Sequence, residues 1–326
     1  MHCRALLAVS ALLSAAVVFA QDPADADAKS IIPPIHESIV IRGTPLDPRV
    51  DRKDQAVFRE SLFSRDDQVF HLLDAGINAG QHEGGGKSVE IRRFGFKLDH
   101  GGVNGALKVL VDDVEQNYGT QGHGQGYLGS LKSLTPELVD DVELVNGPFN
   151  AEYGDFSGLG VVHIRTKENL PDWVTGRFMA GAFDTYRGVI SSSPAFQNGR
   201  GLFTYEGSAT QGPFEKPLDY RRDNLSGSYV HYLRPERQLG VKYNLTRYRF
   251  QASGQLPLDL IATGQLDRFG FLDPGDGGRT TAGRTGLYYR QEASAGQSWT
   301  LDGFVESSTW DLYSNAPVFL NDPVRR

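Results

Sequence analysis

Residues 141–167 read DVELVNGPFNAEYGDFSGLGVVHIRTK, a strand, two turns and a second strand. Asp141 to Val145 and Gly158 to Thr166 supply the β-type runs. Between them Gly147-Pro148 forces a sharp change of direction, because glycine accepts positive φ and proline fixes its own. Tyr153-Gly154 predicts a further reversal, with the chain turning under a packed tyrosine ring. An isolated Gly-Pro pair signifies only a turn. The order of the pieces is what carries information.

Upstream the texture is the same. Ser88-Val89-Glu90-Ile91-Arg92 alternates at period two, and Ala106 to Val114 (ALKVLVDDV) reads as another strand. Thr135-Pro136-Glu137-Leu138 sets an N-cap threonine before a proline at the first helical position, so a short helical turn is expected there. Glycine-rich loops separate these runs at 84–86, 101–102 and 119–129. Asp51 to Leu73 carries Val57, Phe58, Leu62, Phe63, Val69 and Leu73 at loose helical spacing, and Ser38-Ile39-Val40-Ile41 is a brief β-type segment closed by Gly43.

The first twenty residues have the layout of a secretory signal. Arg4 is the positive head, Ala5 to Val18 the apolar run, and Val18-Phe19-Ala20 the cleavage signal before Gln21. Asp22 to Glu37 is acidic and proline-containing, which predicts a disordered linker. The single cysteine, Cys3, lies in the signal, so a chain starting at Gln21 has no thiol for disulfides or zinc.

After Pro171, aromatic-studded strands of roughly ten residues recur. They cover Trp173 to Ala182, Tyr186 to Ser193, Gly201 to Thr210, Leu225 to Leu233, Leu239 to Tyr248, Thr281 to Glu292 and Ser298 to Trp310. Leu239, Val241, Tyr243 and Leu245 alternate with Lys242, Asn244 and Thr246, which predicts a lipid face and a polar lumen face. Phe203 and Tyr205 alternate likewise with Thr204 and Glu206, whereas Phe304 shares parity with Asp302 and Glu306. A soluble β-sandwich alternates too. The secretory signal and the polar inner face favour a barrel. A net charge of -7 argues against a nucleic-acid binder, and no internal run of 18 apolar residues offers a helical membrane span.

The block from Asp141 to Gly154 resembles the plug signature of TonB-dependent outer-membrane receptors: an acidic strand, Gly147-Pro148, then Ala151 and Tyr153-Gly154. Gly158 to Lys167 is similar to that family's last plug strand. Ile91-Arg92-Arg93-Phe94-Gly95 resembles its Ile-Arg-Gly strand with Arg93 in the glycine position, and Val109 to Val114 its V-x-V-D-G-V strand with Asp113 in place of glycine. Residues 268–278 also resemble a barrel-loop motif of one receptor subgroup. The resemblance implies an α+β plug domain followed by antiparallel transmembrane β-barrel strands. The expected divisions are signal 1–20, linker 21–37, plug 38–170 and barrel 171–326. Seven or eight strands cannot enclose a plug, for which around 22 are needed. The chain also closes on Asp322-Pro323-Val324-Arg325-Arg326 without a terminal aromatic strand, so an incomplete barrel from a truncated receptor is expected.

The function implied is energised uptake of a scarce ligand, a ferric siderophore, cobalamin or an oligosaccharide, across the outer membrane. The partners implied are TonB with ExbB and ExbD, outer-membrane lipid and the ligand, and no nucleic acid. Ser38, Ile39, Val40 and Ile41 form the candidate TonB-coupling strand, since an extended β-branched segment suits strand addition to a partner sheet. The same residues read equally as an ordinary first plug strand. His100, His123, Gln125 and Tyr127 are the candidate substrate contacts, on loops that also read as simply solvated. Gly147, Pro148, Tyr153 and Gly154 are the structural plug motif.

Nothing in the spacing indicates an enzyme. His82, His100 and His123 match no zinc ligand set, and Gly84-Gly85-Gly86-Lys87-Ser88 lacks the first glycine of a phosphate loop, with Gln81 in its place. No resident cofactor is expected; a metal would arrive inside the ligand. The competing readings are a passive porin or adhesin, a soluble secreted hydrolase, and a non-functional receptor fragment.

Overall fold

A computed structural model describes residues 51–54, 77–81, 87–91, 94–95, 107–117, 132–147, 151–155, 157–158, 160–254, 256–293 and 297–313. All of them belong to one compact unit, residues 45–326. The leader, the linker, Ser38 to Ile41 and the three glycine-rich loops lie outside the described residues.

The first sheet has five strands: β1 (Asp51–Asp54), β5 (Leu107–Val111), β6 (Val114–Glu115), β7 (Val139–Asn146) and β8 (Gly160–Thr166). Their spatial order is β1-β7-β8-β5-β6, with β5 and β8 parallel and the other pairs antiparallel. Its apolar residues close a small core in which Val109, Val139, Val142, Val161, Val162 and Ile164 are wholly buried. A second small sheet joins β2 (Ile77–Gln81), β3 (Lys87–Ile91) and β4 (Phe94–Gly95). The helical spacing expected from Asp51 is overturned at its start. Asp51–Asp54 pair with β7, from Asp51 against Leu144 to Asp54 against Asp141. This charged tetrapeptide contains none of the apolar positions behind the helical reading, and an unpaired edge of β7 offers it a complete ladder.

Asp112 and Asp113 form the two-residue loop between β5 and β6, at φ 49° and 66°. Two-residue hairpins favour turns with both central residues at positive φ, and aspartate tolerates that region better than most side chains. Asp113 can therefore stand where the related signature has glycine. Asp112 does more than turn, since its carboxylate accepts from the Thr166 amide at 3.0 Å and the Thr166 hydroxyl at 2.6 Å. Replacing Asp113 by glycine relieves left-handed strain of about 1 kcal/mol, which offsets the loss of its 3.2 Å contact with the buried His163 Nε2, so stability should change little. Asp112→Gly should lower it. Denaturant midpoints of the two variants, measured side by side, check this opposition.

Beyond residue 170 the long strands are β9 (Val174–Gly181), β10 (Thr185–Ser192), β12 (Gly199–Thr210), β13 (Tyr220–Arg234), β14 (Arg237–Gln251), β15 (Gly277–Ala293) and β16 (Gln297–Tyr313). They follow one another antiparallel from β9 to β16, with the short β11 (Ala195–Phe196) paired to β12. All seven expected strands are present, and most are longer than their apolar cores suggested. β13 and β14 have 15 residues, β15 and β16 have 17. Much of the extra length is polar, including Arg221, Arg222, Asp223 and Arg249, so periodicity of hydrophobicity stops before the hydrogen bonding does.

The predicted faces are observed. Thr204 and Glu206 are wholly buried, while Phe203 and Tyr205 are 47% and 41% exposed on the other side. One rim has the short connection Pro235–Glu236. The other has the long loops 211–219 and 252–276, the latter holding helix α1 (Leu258–Ala262). Lys216 ties these two loops together by donating to the carbonyls of Ala252 at 3.2 Å and Asp276 at 2.8 Å.

Candidate functional site

The first sheet rests on the polar face of the long-stranded sheet, and two charged clusters hold it there. The first centres on Glu206 of β12, whose side chain is fully buried. Arg187 of β10 donates through Nε to its Oε1 at 2.6 Å, and Arg222 of β13 donates to the same oxygen. The Thr135 hydroxyl donates to Oε2 at 2.8 Å, and Asn224 adds a longer bond of 3.3 Å. Arg187 also reaches across to Glu137 of the first sheet's segment in a bidentate pair, with both bonds 2.6 Å. This is the strong planar geometry that guanidinium and carboxylate favour. Burial pushes the Glu137 carboxyl up, but the Arg187 hydrogen bonds and charge outweigh it and hold the group below its ordinary range.

Thr135 therefore has a different role from the one its sequence context indicated. A 3₁₀ turn does run from Pro136 to Leu138 with proline leading, yet Thr135 makes no side-chain cap. Its hydroxyl is spent on Glu206 instead. A three-residue turn leaves few orphan amides, whereas a buried carboxylate needs every donor within reach.

The second cluster lies lower along the strands. Lys242 of β14 donates to Asp112 at 2.9 Å and to the Thr166 carbonyl at 3.3 Å. Glu168 accepts from the Tyr288 hydroxyl at 2.8 Å and from Arg290 at 3.0 Å, and its carbonyl accepts from Ser228 at 3.0 Å. Gly240, directly opposite Tyr288 across the ladder, makes this possible: a Cβ there would collide with the tyrosine ring. Between the clusters Asn244 donates to the Ser133 carbonyl at 2.8 Å, and Lys132 sits over the rings of Tyr220 and Tyr248 at 4.9 and 5.0 Å.

A cavity of about 570 Å³ separates the two sheets where they are not in contact. Lys242, Arg284 and Arg290 line it with Asp112, Glu168 and Asp302. Apolar side chains including Leu134, Leu202, Leu287 and Phe304 complete the lining, so both signs of charge face one another in a pocket of mixed polarity. Among the described residues no cluster of metal-ligating side chains occurs.

Of the residues singled out in the sequence, Gly147, Tyr153 and Gly154 are described. Gly147 follows β7 at φ 83°. Gly154 has φ 59° and no atom near a built Cβ, so its backbone angle and not its space demands glycine. Tyr153 ends a 3₁₀ turn, Ala151–Tyr153, and its ring is half-buried rather than packed. Its carbonyl is what is held, by Lys108 Nζ at 2.6 Å. Pro148, Ser38 to Ile41, His100, His123, Gln125 and Tyr127 lie outside the described residues. Lys242 was read correctly as lumen-facing. Glu206 likewise lies on the polar face read for it, whereas Glu137, Arg187, Arg222 and Glu168 were not singled out, although Arg187 and Arg222 each sit at polar-face parity on an aromatic-studded strand.

Residues 54–161 match the family TonB-dependent Receptor Plug Domain. Among solved structures, the chain is similar to the ferric yersiniabactin uptake receptor FyuA from Yersinia pestis, with 15% identity and a TM-score of 0.61 over 81% of this chain and 41% of that one. It is similar also to the siderophore receptor PirA from Acinetobacter baumannii, with 15% identity and a TM-score of 0.55 over 79% and 40%. The ferric-catecholate import receptor Fiu from E. coli K12 gives 12% identity and a TM-score of 0.59 over 82% and 39%. At these identities the likeness is one of fold, and the chain spans about two fifths of their length. Comparison with curated proteins returns no match.

Proposed function

We infer that this chain, whose residues 54–161 are a TonB-dependent receptor plug and whose later strands are barrel wall, serves energised uptake of a ferric siderophore across the outer membrane. The observation that carries the reading is a distinct five-stranded sheet seated on the polar wall face by two charged clusters. A passive pore has no use for such an obstruction. The siderophore class is supported by the three similar structures, named as a siderophore receptor, a ferric yersiniabactin uptake receptor and a ferric-catecholate import receptor.

The plug acts as the gate in this reading, and the charged cavity beside it begins the path. TonB, with ExbB and ExbD, supplies the pull through Ser38, Ile39, Val40 and Ile41. His100, His123, Gln125 and Tyr127 are the ligand contacts in this reading. No resident cofactor is needed and no bond is made or broken in the cargo; iron enters as part of it.

The test is uptake of labelled ferric siderophores by cells carrying the whole receptor, with and without TonB, together with proline at Ile39 or Val40. Proline removes a backbone donor that strand addition requires. Accumulation should fall to the level without TonB while surface binding and receptor abundance stay unchanged. Equal accumulation with and without TonB would refute energised uptake. Normal accumulation in both proline variants would move the coupling segment elsewhere.

A further inference from the structure

The outward face of the long-stranded sheet carries a row of arginines in lateral register. Arg221 of β13 pairs with Arg249 of β14, Arg249 with Arg279 of β15, and Arg279 with Asp311 of β16. Their side chains are 65%, 53% and 68% exposed. One step inward along the strands, Asp223, Arg247 and Thr281 make a second polar row. The row after that is apolar, with Tyr205, Leu225 and Leu245 in register. Exposed Phe203, Tyr229, Leu239, Leu287 and Leu301 continue the apolar surface toward the short-turn rim.

Like charges directly opposite one another across a ladder are destabilising. Here three guanidinium groups share one level on strands about 4.8 Å apart. Two carboxylates steady them: Asp219 lies 3.7 Å from Arg221 and 2.9 Å from Arg249, and Asp311 lies 2.6 Å from Arg279. Each pair uses a single guanidinium nitrogen, leaving the rest of each planar fork for another oxygen acceptor. With Arg247 and Asp223 the patch holds four arginines against three aspartates, so it is no general attractor of anions. Its distinguishing feature is place. The forks stand at the edge of the apolar band, on the rim with the long loops, which in outer-membrane barrels is the extracellular rim.

We propose that this row is a binding surface for the phosphorylated headgroup of a membrane glycolipid, with the acyl chains on the apolar band below. Arginine forks take phosphate oxygens in pairs, and the adjacent apolar surface selects a phosphate attached to a lipid. The proposal rests on the barrel reading above and adds a ligand on the outside of the wall, remote from the uptake path.

The experiment is thermal stabilisation of the whole receptor in detergent, titrated with bisphosphorylated lipid A, dephosphorylated lipid A or inorganic phosphate. Wild type should be stabilised by the phosphorylated lipid, much less by the dephosphorylated one, and not by free phosphate. The variant R221Q/R249Q/R279Q should need about tenfold more phosphorylated lipid for the same shift, equivalent to about 1.4 kcal/mol. Arg234→Gln, at the opposite rim, should titrate like wild type. Should the triple variant fail to fold, the single R249Q carries the same comparison. Equal titration of wild type and arginine variants, or equal stabilisation by both lipids, overturns the proposal. A chain that never enters the membrane fraction overturns the barrel reading itself, which is a separate outcome.

Discussion

The Glu206→Ala receptor should lose about 3–5 kcal/mol of folding stability, the cost typical of removing one partner from a buried ionic group. Glu206 is wholly buried and accepts from Arg187, Arg222, Thr135 and Asn224. Its removal takes a shared acceptor from two guanidinium groups, each 7% exposed, and leaves Arg187 with Glu137. Glu206→Gln should cost less, because an amide keeps the volume and one acceptor oxygen. Arg279→Gln is the surface counterpart and should cost between about 0 and 1 kcal/mol. Denaturant or thermal midpoints in detergent rank the three, and a ranking with Arg279→Gln first would remove Glu206 from its central position. Acid provides a second reading of the same cluster. Glu137 is held below its ordinary value of 4.5, so its contribution is fully present above that pH. It is lost only as pH falls through the lowered value. Proteolytic release of the plug segment beginning near pH 6 would contradict this sign.

Much of the architecture is legible in the sequence because it is written locally. The plug motif lies within one stretch, and a strand with one lipid face and one polar face repeats at period two, so Thr204, Glu206 and Lys242 declare their side without any knowledge of partners. Strand ends are less legible: beyond the apolar band the ladder continues through Arg221 or Arg249, where hydrophobicity carries no signal. Asp51–Asp54 form a strand only because β7 offers them an edge. The charged clusters are least legible. Glu137 meets Arg187 across 50 positions of chain, and Asp112 meets Lys242 across 130. No spacing rule links residues that far apart, and polar-face parity says that Arg187 points inward but not what it meets.

The two clusters are unequal in a way that bears on how the plug would part from the wall in the proposed gating. The Glu206 cluster is buried, and three of its charges, Arg187, Glu206 and Arg222, belong to the wall itself. The plug contributes Glu137, Thr135 and the Lys132 carbonyl, so separation there exposes the bidentate Arg187 pair, the 3.2 Å Arg177–Glu137 bond, the Thr135 hydroxyl contact and the Asn224–Lys132 bond. The second cluster makes several bonds but is more open, with Asp112, Lys242 and Glu168 side chains 18%, 20% and 27% exposed, so water can replace them at smaller cost. Movement should therefore begin at the β5–β6 hairpin, with residues 132–138 following.

Cross-linking tests that order directly, because residues 21–326 contain no native cysteine to interfere. Asp112→Cys with Lys242→Cys, bridged by a cleavable bifunctional thiol reagent, should reduce siderophore accumulation to background. Surface binding should persist, since neither position belongs to the candidate ligand loops. Reductive cleavage of the bridge should restore uptake. A second pair, Ser133→Cys with Asn244→Cys, ties the neighbouring contact, where Asn244 donates to the Ser133 carbonyl. If the hairpin leads and residues 132–138 follow only in part, the second bridge should leave measurable transport while the first leaves none. Full accumulation through a bridged Asp112–Lys242 pair would show that the passage opens without parting the plug from β14, and the gate would then have to lie on another side of the plug.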